Sequence, residues 1–172
     1  QDNRTGEKTT LKTTKDIEVL FEGVDLETYT SKIDSDHLEI IESLDEIKEN
    51  FCFLFVGHWL QGEHGHDRKN VGRMIETFLN TFKTQRIPPA LVIKTQQTNS
   101  CIMDREKILK KIDRIRTGIG GTLPNIYLLH GEINDKEINN LYNHRKIKAM
   151  VNLTKGEGFG RPMLEFTTTG KP

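Results

Sequence analysis

The chain has 172 residues, enough for one compact domain with an extension but too few for two complete domains. Its 25 basic residues balance its 25 acidic ones, which argues against partners bound by long-range charge, such as nucleic acid. The longest apolar run, Phe51 to Val56, is much too short to span a bilayer, and the first residues lack a signal pattern. We therefore expect a cytoplasmic protein with no transmembrane segment and no nucleic-acid partner.

The first 36 residues predict an extension that leads in from a preceding domain. They are mostly polar, and their one apolar run, Ile17 to Phe21, is typical of a strand. A connecting helix is predicted over residues 37 to 49, with Asp36 as its candidate N-cap. The uninterrupted apolar run from Phe51 to Val56 then predicts a strand that is covered on both faces.

Strands and helices alternate over the rest of the chain. The residues from Val71 to Phe82 repeat apolar side chains at steps of three and four, which predicts an amphipathic helix. The remaining predicted elements are a strand at 90–93, a helix at 104–115, a strand at 126–129, a helix that begins with the capping box Asn134-Asp-Lys-Glu137, and a strand at 148–153. This order predicts a Rossmann-like α/β domain over residues 37–172, a parallel sheet with helices on both faces.

The carboxyl ends of these strands are the expected binding edge, because ligands of open parallel sheets lie there. The loops after Val56, Ile93, Leu129 and Leu153 should therefore line one crevice. The last of these loops carries the strongest functional signal. It reads Lys155-Gly-Glu-Gly-Phe-Gly-Arg-Pro-Met-Leu-Glu165, with carboxylates at both sides of a glycine-rich bend.

The chemistry of this glycine loop suits a nucleotide sugar. Gly158 and Gly160 allow the backbone to approach a ligand closely, and a helix is predicted to begin at Pro162. Phosphate would accept hydrogen bonds from free N–H groups at the helix start, those of Met163 and Leu164. Carboxylates on either side would accept hydrogen bonds from sugar and ribose hydroxyls.

The motif EGFGRPMLE, in which seven residues separate Glu157 from Glu165, resembles the signature of family 4 (group 1) retaining glycosyltransferases, which have the two-domain GT-B fold. Three further segments agree in order: Val56-Gly57, Arg68-Lys69-Asn70 and the run from Asn125 to Gly131. The resemblance covers about residues 50 to 172 and, more faintly, residues 17 to 25. It implies the nucleotide-sugar-binding half of such an enzyme, cut short at its carboxyl end and lacking most of the N-terminal GT-B domain.

The resemblance also implies roles for individual residues. Glu165 would bind the ribose hydroxyls and Glu157 the transferred sugar, while backbone N–H groups near Phe159 and Gly160 contact the sugar or phosphates. Lys69 would grip the diphosphate, and the resemblance implies that Lys69 and Glu157 are the catalytic residues. The sequence does not separate the role of Lys69 from that of Arg68. The remaining predicted substrate-binding residues lie at strand ends, where they would surround the base and phosphates: Gly57, His58, Lys94, Thr95, Gly131, Glu132 and Ile133.

Position 58 departs from the family pattern, which often has arginine there as a second phosphate partner. Histidine is neutral or only partly charged near neutral pH, so His58 predicts a weaker phosphate contact. The same loop holds Glu63, His64, His66 and Asp67, which together suggest a metal site. We interpret it as a polar loop without metal, because zinc sites have a tighter set of ligands. No cofactor is expected besides the nucleotide-sugar substrate.

The function implied by the resemblance is transfer of a hexose from a nucleoside-diphosphate sugar to an unknown sugar, lipid or protein acceptor, with retention of configuration. The acceptor site would belong to the other GT-B domain, so we expect this chain alone to bind donor weakly and to transfer nothing. Two alternatives stay open. One is another GT-B activity, such as a nucleotide-sugar epimerase or a phosphorylase, and the other is a catalytically silent binding or assembly module, which His58 makes conceivable.

Overall fold

The computed structural model describes residue 10 and residues 12–60, 66–96 and 101–172. Strands and helices alternate along the chain, as the sequence predicts. The elements are α1 (Glu39–Asp45), β1 (Cys52–Val56), α2 (Val71–Phe82), β2 (Ala90–Lys94), α3 (Ile102–Ile119), β3 (Ile126–Leu129), α4 (Asp135–Asn143), β4 (Ile147–Met150) and α5 (Arg161–Thr167).

The four strands form one parallel sheet with the order β3-β2-β1-β4. Strand β1 therefore lies at the centre, with β2 on one side and β4 on the other. The chain changes its direction of strand addition at β1, and the crevice of an open α/β sheet forms at such a point. This topology confirms the predicted Rossmann-like fold and places the loops after β1 and β4 next to each other.

Helices cover both faces of the sheet, because β1 and β2 send apolar side chains to both sides. On one face, Leu54 of β1 packs in a cluster with Leu44 of α1 and Tyr142 of α4. On the other face, Phe55 of β1 packs with Ile75 of α2 and Ile108 of α3. The two apolar layers fix the sheet between the helices and hold the strand ends in place.

The capping box at α4 is present as the sequence predicts. The Asn134 side chain accepts a hydrogen bond from the N–H of Glu137, and the Glu137 carboxylate accepts one from the N–H of Asn134. The predicted N-cap at Asp36 is wrong, since α1 begins at Glu39 after Leu38 and has no side-chain cap. Instead, the N–H of Asp36 donates to the Asp34 carboxylate in a turn that precedes the helix.

That turn is held by polar side chains of α4. The Asn140 side chain accepts from the N–H of Asp34 and donates to the carbonyls of Asp34 and His37. Asn139 accepts from the N–H of Thr30, and the Tyr29 ring is buried in the core on this side. Residues 29–36 therefore pack directly on α4, although they are part of the predicted extension.

The predicted strand from Ile17 to Phe21 is wrong. These residues form no strand, and the side chains of Ile17, Val19, Leu20 and Phe21 are all largely exposed. An apolar run can form a strand only where another strand accepts its hydrogen bonds, and β1, β2, β3 and β4 pair only with one another. Within the described part of the chain, no helix is both long enough and apolar enough to cross a membrane.

Candidate functional site

A cavity of about 580 Å³ lies at the carboxyl ends of β1, β2 and β3. Its lining includes eight of the residues that the sequence predicts for the site: Gly57, His58, Arg68, Lys69, Lys94, Thr95, Glu132 and Ile133. Pro162 at the start of α5 also lines it, which places the glycine loop at its rim. Loops that are far apart in the sequence thus meet at one edge of the sheet.

Lys69 and Glu157 form the tightest contact of the site. The Lys69 ammonium lies 2.6 Å from each carboxylate oxygen of Glu157, and both side chains are mostly buried. Arg68 donates to the Gly156 carbonyl at 2.7 Å and to Glu157 at 3.3 Å. The loop before α2, which carries Arg68 and Lys69, is therefore joined to the glycine loop through the Glu157 carboxylate.

The surroundings of Glu157 keep it ionised. Partial burial opposes its charge, but the hydrogen bonds from Lys69 and Asn152 outweigh burial and hold the pKa of Glu157 below its usual value. Asn152 was not singled out in the sequence. It lies two residues beyond the end of β4, and a polar residue near the carboxyl end of the strand predicted at 148–153 was the signal that could have indicated it.

The chain before α2 is shaped to hold Lys69 over the cavity. Asn70 has a left-handed backbone with φ of 55°, and its side chain donates to the Leu153 carbonyl at 3.2 Å. The Asp67 carboxylate accepts from the N–H of Val71 and so caps the first turn of α2. At Gly57, an added Cβ would lie 3.0 Å from the Phe55 ring and 3.8 Å from Lys69 Cε. A side chain at position 57 would thus press on the Phe55 ring and lie in ordinary contact with Lys69.

The bend of the glycine loop depends on Gly160. Its φ is 81°, and an added Cβ would lie 2.8 Å from the terminal methyl group of Met163. Helix α5 begins one residue later, at Arg161. The N–H groups of Met163 and Leu164 both donate to the Gly160 carbonyl, at 3.0 and 3.2 Å. The expectation that these two N–H groups are free for phosphate is therefore wrong, because the first turn of α5 already uses them.

Two other backbone donors of the glycine loop are not used by hydrogen bonds within the described residues. Among the described residues, the N–H groups of Phe159 and Gly160 have no hydrogen-bond partner. The Phe159 ring packs edge-on against Phe21, with 5.5 Å between ring centroids, so the chain before the domain touches this loop. Gly158 adopts no left-handed backbone, and a Cβ there would meet no atom within 4 Å.

Glu165 has surroundings unlike those of Glu157. It is only 7% exposed, it accepts a hydrogen bond from the Tyr142 hydroxyl at 3.2 Å, and its other oxygen lies 3.3 Å from Arg161 Nε. Burial raises the pKa of Glu165 above its usual value, against the opposing effect of Tyr142 and Arg161. Glu165 is not among the residues that line the cavity. The sequence did not indicate a role for Tyr142 in the site.

The far wall of the cavity is formed by the ends of β2 and β3. Lys94 donates to the Gly131 carbonyl at 2.7 Å, and burial lowers the pKa of Lys94. The Thr95 side chain is almost completely buried, and its hydroxyl has no hydrogen-bond partner among the described residues. Buried hydroxyls normally have a partner, so Thr95 can bind a polar group of a ligand in the cavity.

The loop after β1 does not supply a metal site among the residues that the structure describes. No group of three potential ligands comes together there, and Glu63 and His64 lie outside the described residues. Trp59 of the same loop is buried, with the Lys111 ammonium 5.0 Å from the ring centroid. Trp59 therefore packs in the core.

The structure is a Rossmann-like α/β domain whose candidate site lies at the carboxyl ends of its parallel strands. Among solved structures, the chain is similar to the C-terminal domain of a glycosyl transferase group 1 family protein, LpcC, from Francisella tularensis. The TM-score is 0.56 at 17% sequence identity, over 87% of this chain and 68% of that one. No protein-family model matches the sequence, and no curated protein matches it significantly. The likeness establishes the fold.

Proposed function

We propose that this chain is the donor-binding half of a glycosyltransferase, which transfers a hexose from a nucleoside-diphosphate sugar to a sugar, lipid or protein acceptor with retention of configuration. One observation carries the proposal. Two cations, Arg68 and Lys69, meet the Glu157 carboxylate at the mouth of a cavity on the carboxyl edge of a parallel sheet. A diphosphate needs such cations, and a sugar needs such an acceptor.

The role of the two cations is electrostatic. As the bond between the sugar and the diphosphate breaks, negative charge grows on the departing phosphate oxygens. Lys69 is already held in place by Glu157 and has three N–H donors, so it can bind phosphate without a large rearrangement. A cation that is positioned before the reaction stabilises the charge as it develops. Arg68, which is more exposed, adds a second positive group at the same edge.

Glu157 orients the sugar in this proposal. Its low pKa keeps it ionised at neutral pH, so it accepts hydrogen bonds from sugar hydroxyls and does not serve as a proton donor. When phosphate takes donors of Lys69, the oxygens of Glu157 become available to the hexose. The N–H groups of Phe159 and Gly160 are further donors for the sugar or the phosphates.

The nucleoside would occupy the wall formed by β2 and β3. Thr95, whose buried hydroxyl has no partner among the described residues, lines this wall together with Glu132 and Ile133, and Gly131 directly precedes them. Glu165 would bind the ribose hydroxyls. Because the Glu165 carboxylate is buried and does not line the cavity, α5 would have to move to bring it to the ligand. We assign the acceptor site to a second GT-B domain, and we propose that no cofactor takes part besides the donor.

Calorimetric titration with several nucleoside diphosphates tests the proposal. We expect binding that Lys69→Ala or Glu165→Ala weakens at least tenfold, because each removes a group that the ligand contacts. Lys107→Ala is the matched control, since Lys107 is an exposed lysine of α3. Absence of binding to every nucleoside diphosphate would refute donor binding and favour a silent assembly module. Transfer by a two-domain form would then distinguish the transferase from an epimerase or a phosphorylase.

A further inference from the structure

A second cavity, of about 620 Å³, lies at the opposite edge of the sheet. It is formed where β1 and β2 begin, by the chain before each of these strands and by the carboxyl end of α2. We call it the amino-edge cavity and define it by Lys48, Phe51, Phe53, Phe82, Arg86 and Ile87. The donor site proposed above lies at the carboxyl ends of the strands, so the two cavities are separated by the length of the sheet.

The floor of the amino-edge cavity is aromatic. The Phe53 ring lies 5.1 Å from the Phe51 ring and 5.7 Å from the Phe82 ring, measured between centroids. Phe53 and Phe82 pack at the edge of the core between α2 and the sheet, at the end where β1 and β2 begin. This end is open to solvent, since Phe51 is 46% exposed. Pro88 and Pro89 add flat apolar surface. Flat rings favour a planar apolar ligand that can stack or pack edge-on.

The walls of the cavity are preformed. The N–H of Ala90 donates to the Phe51 carbonyl at 3.0 Å, which joins the starts of β1 and β2. The N–H of Gln85 donates to the Phe82 carbonyl at 3.1 Å, which closes the turn after α2. Pro88 and Pro89 directly precede β2 and restrict the backbone at the start of that strand. Ligand binding in such a cavity therefore carries only a small free-energy cost for ordering the protein.

The charges at the rim favour an anion. Lys48 and Arg86 line the cavity, and within the described ranges neither forms an ion pair. The one carboxylate of the lining, that of Glu49, accepts hydrogen bonds from Asn125 at 2.7 Å and from the Tyr127 hydroxyl at 2.9 Å. Its negative charge is therefore directed toward β3 and already bonded, while the two cations are available to a ligand.

We propose that the amino-edge cavity binds a planar aromatic anion, an aryl carboxylate whose rings pack on Phe51, Phe53 and Phe82 and whose carboxylate lies between Lys48 and Arg86. The cavity has the size of an ordinary small-molecule site. Binding there does not require the donor site to be occupied.

The test uses naphthalene-2-carboxylate and its neutral amide, two ligands of nearly equal shape, titrated into the isotope-labelled chain. We expect saturable shifts of the backbone amide resonances of Phe51, Phe53 and Ile87, with the acid bound about fivefold tighter than the amide. Lys48→Gln combined with Arg86→Gln should remove this preference and leave amide binding unchanged. The matched control, Arg105→Gln with Lys107→Gln on the exposed side of α3, removes two cations elsewhere and should preserve the preference.

A second variant tests the location without disturbing the core. Ile87 is 87% exposed, so Ile87→Asp should fold normally, which its melting curve would show, and it should weaken binding of the acid several-fold. Equal affinities for acid and amide, shifts confined to residues around Lys69, or no saturation at millimolar concentration would each overturn the proposal. Lys69→Ala should leave the affinity for the acid unchanged, which separates this site from the donor site.

Discussion

The Lys69 ammonium lies 2.6 Å from both carboxylate oxygens of Glu157, so the two residues that the sequence predicts to be catalytic neutralise each other. Such a pair holds both side chains at the cavity mouth before a ligand arrives. It also means that phosphate must compete with a carboxylate for the lysine.

Glu157→Gln should increase the affinity for a nucleoside diphosphate without sugar about threefold, because it removes the anion that competes for Lys69. The same change should lower the affinity for the corresponding nucleotide sugar relative to the diphosphate, since an acceptor for the hexose hydroxyls is lost. Calorimetric titration with both ligands checks these opposite effects. Glu106→Gln on the exposed side of α3 is the control and should change neither affinity. Weaker binding of the plain diphosphate would contradict the prediction.

Lys69→Met should lower the free energy of unfolding by about 1 kcal/mol, because Glu157 would lose its main partner while keeping its charge in a mostly buried place. Glu157→Gln added to Lys69→Met should restore most of the loss, since no charge then lacks a partner. Urea denaturation of the two single variants and the double variant completes the thermodynamic cycle. Strictly additive effects of the two changes would show that the pair contributes no coupling.

Gly160→Ala should destabilise the chain by about 1–2 kcal/mol and weaken diphosphate binding. The cause is its φ of 81°, together with the 2.8 Å approach of an added Cβ to Met163. Gly158→Ala, two residues away in the same loop, meets no atom within 4 Å and is the matched control. Its melting temperature should be equal to or slightly above that of the parent chain. Equal melting temperatures for the two variants would contradict this account of the bend.

Glu165 should make the stability of the chain depend on pH. Burial raises its folded-state pKa above the unfolded value, so the folded chain binds a proton more tightly than the unfolded chain does. Its contribution to stability is then fully present below the unfolded pKa of glutamate and is lost as the pH rises through the folded pKa. Glu165→Gln should remove this decline and raise the melting temperature at neutral pH relative to the parent chain.

Melting curves of the parent chain and of Glu165→Gln across the acidic range measure this effect. Glu137→Gln is a poor control because Glu137 belongs to the capping box of α4. The exposed Glu106 provides the matched change, and its glutamine variant should follow the pH dependence of the parent. If Glu165→Gln and the parent chain keep a constant difference in melting temperature at every pH, the burial argument fails.

Much of the fold could be predicted from the sequence because the signals are local. The apolar runs of β1 and β2, the amphipathic repeat of α2 and the capping box of α4 each depend on residues that are close together in the chain. The alternation of strands and helices then restricts the fold to a parallel sheet. By contrast, the run from Ile17 to Phe21 has the composition of a strand but no neighbouring strand to bond.

The candidate site was only partly predictable. The sequence indicates which loops meet, since the carboxyl ends of parallel strands share an edge, and Lys69 and Arg68 do line the cavity. It does not indicate the partner of each side chain. The contacts of Asn152 with Glu157 and of Tyr142 with Glu165 depend on how α4 and α5 pack, and so do the hydrogen bonds that use the N–H groups of Met163 and Leu164.

The sequence by itself determined the order of the elements, the parallel sheet and the glycine loop that follows the last strand. Only the tertiary structure decided that Glu157 is bonded to Lys69 while Glu165 is buried against Tyr142, so that two carboxylates of one motif have pKa values shifted in opposite directions. The physical reason is that backbone conformation follows from neighbouring residues and their periodicity. The charge state of a side chain follows from burial and from hydrogen-bond partners, which here are 88 and 23 residues away in the chain.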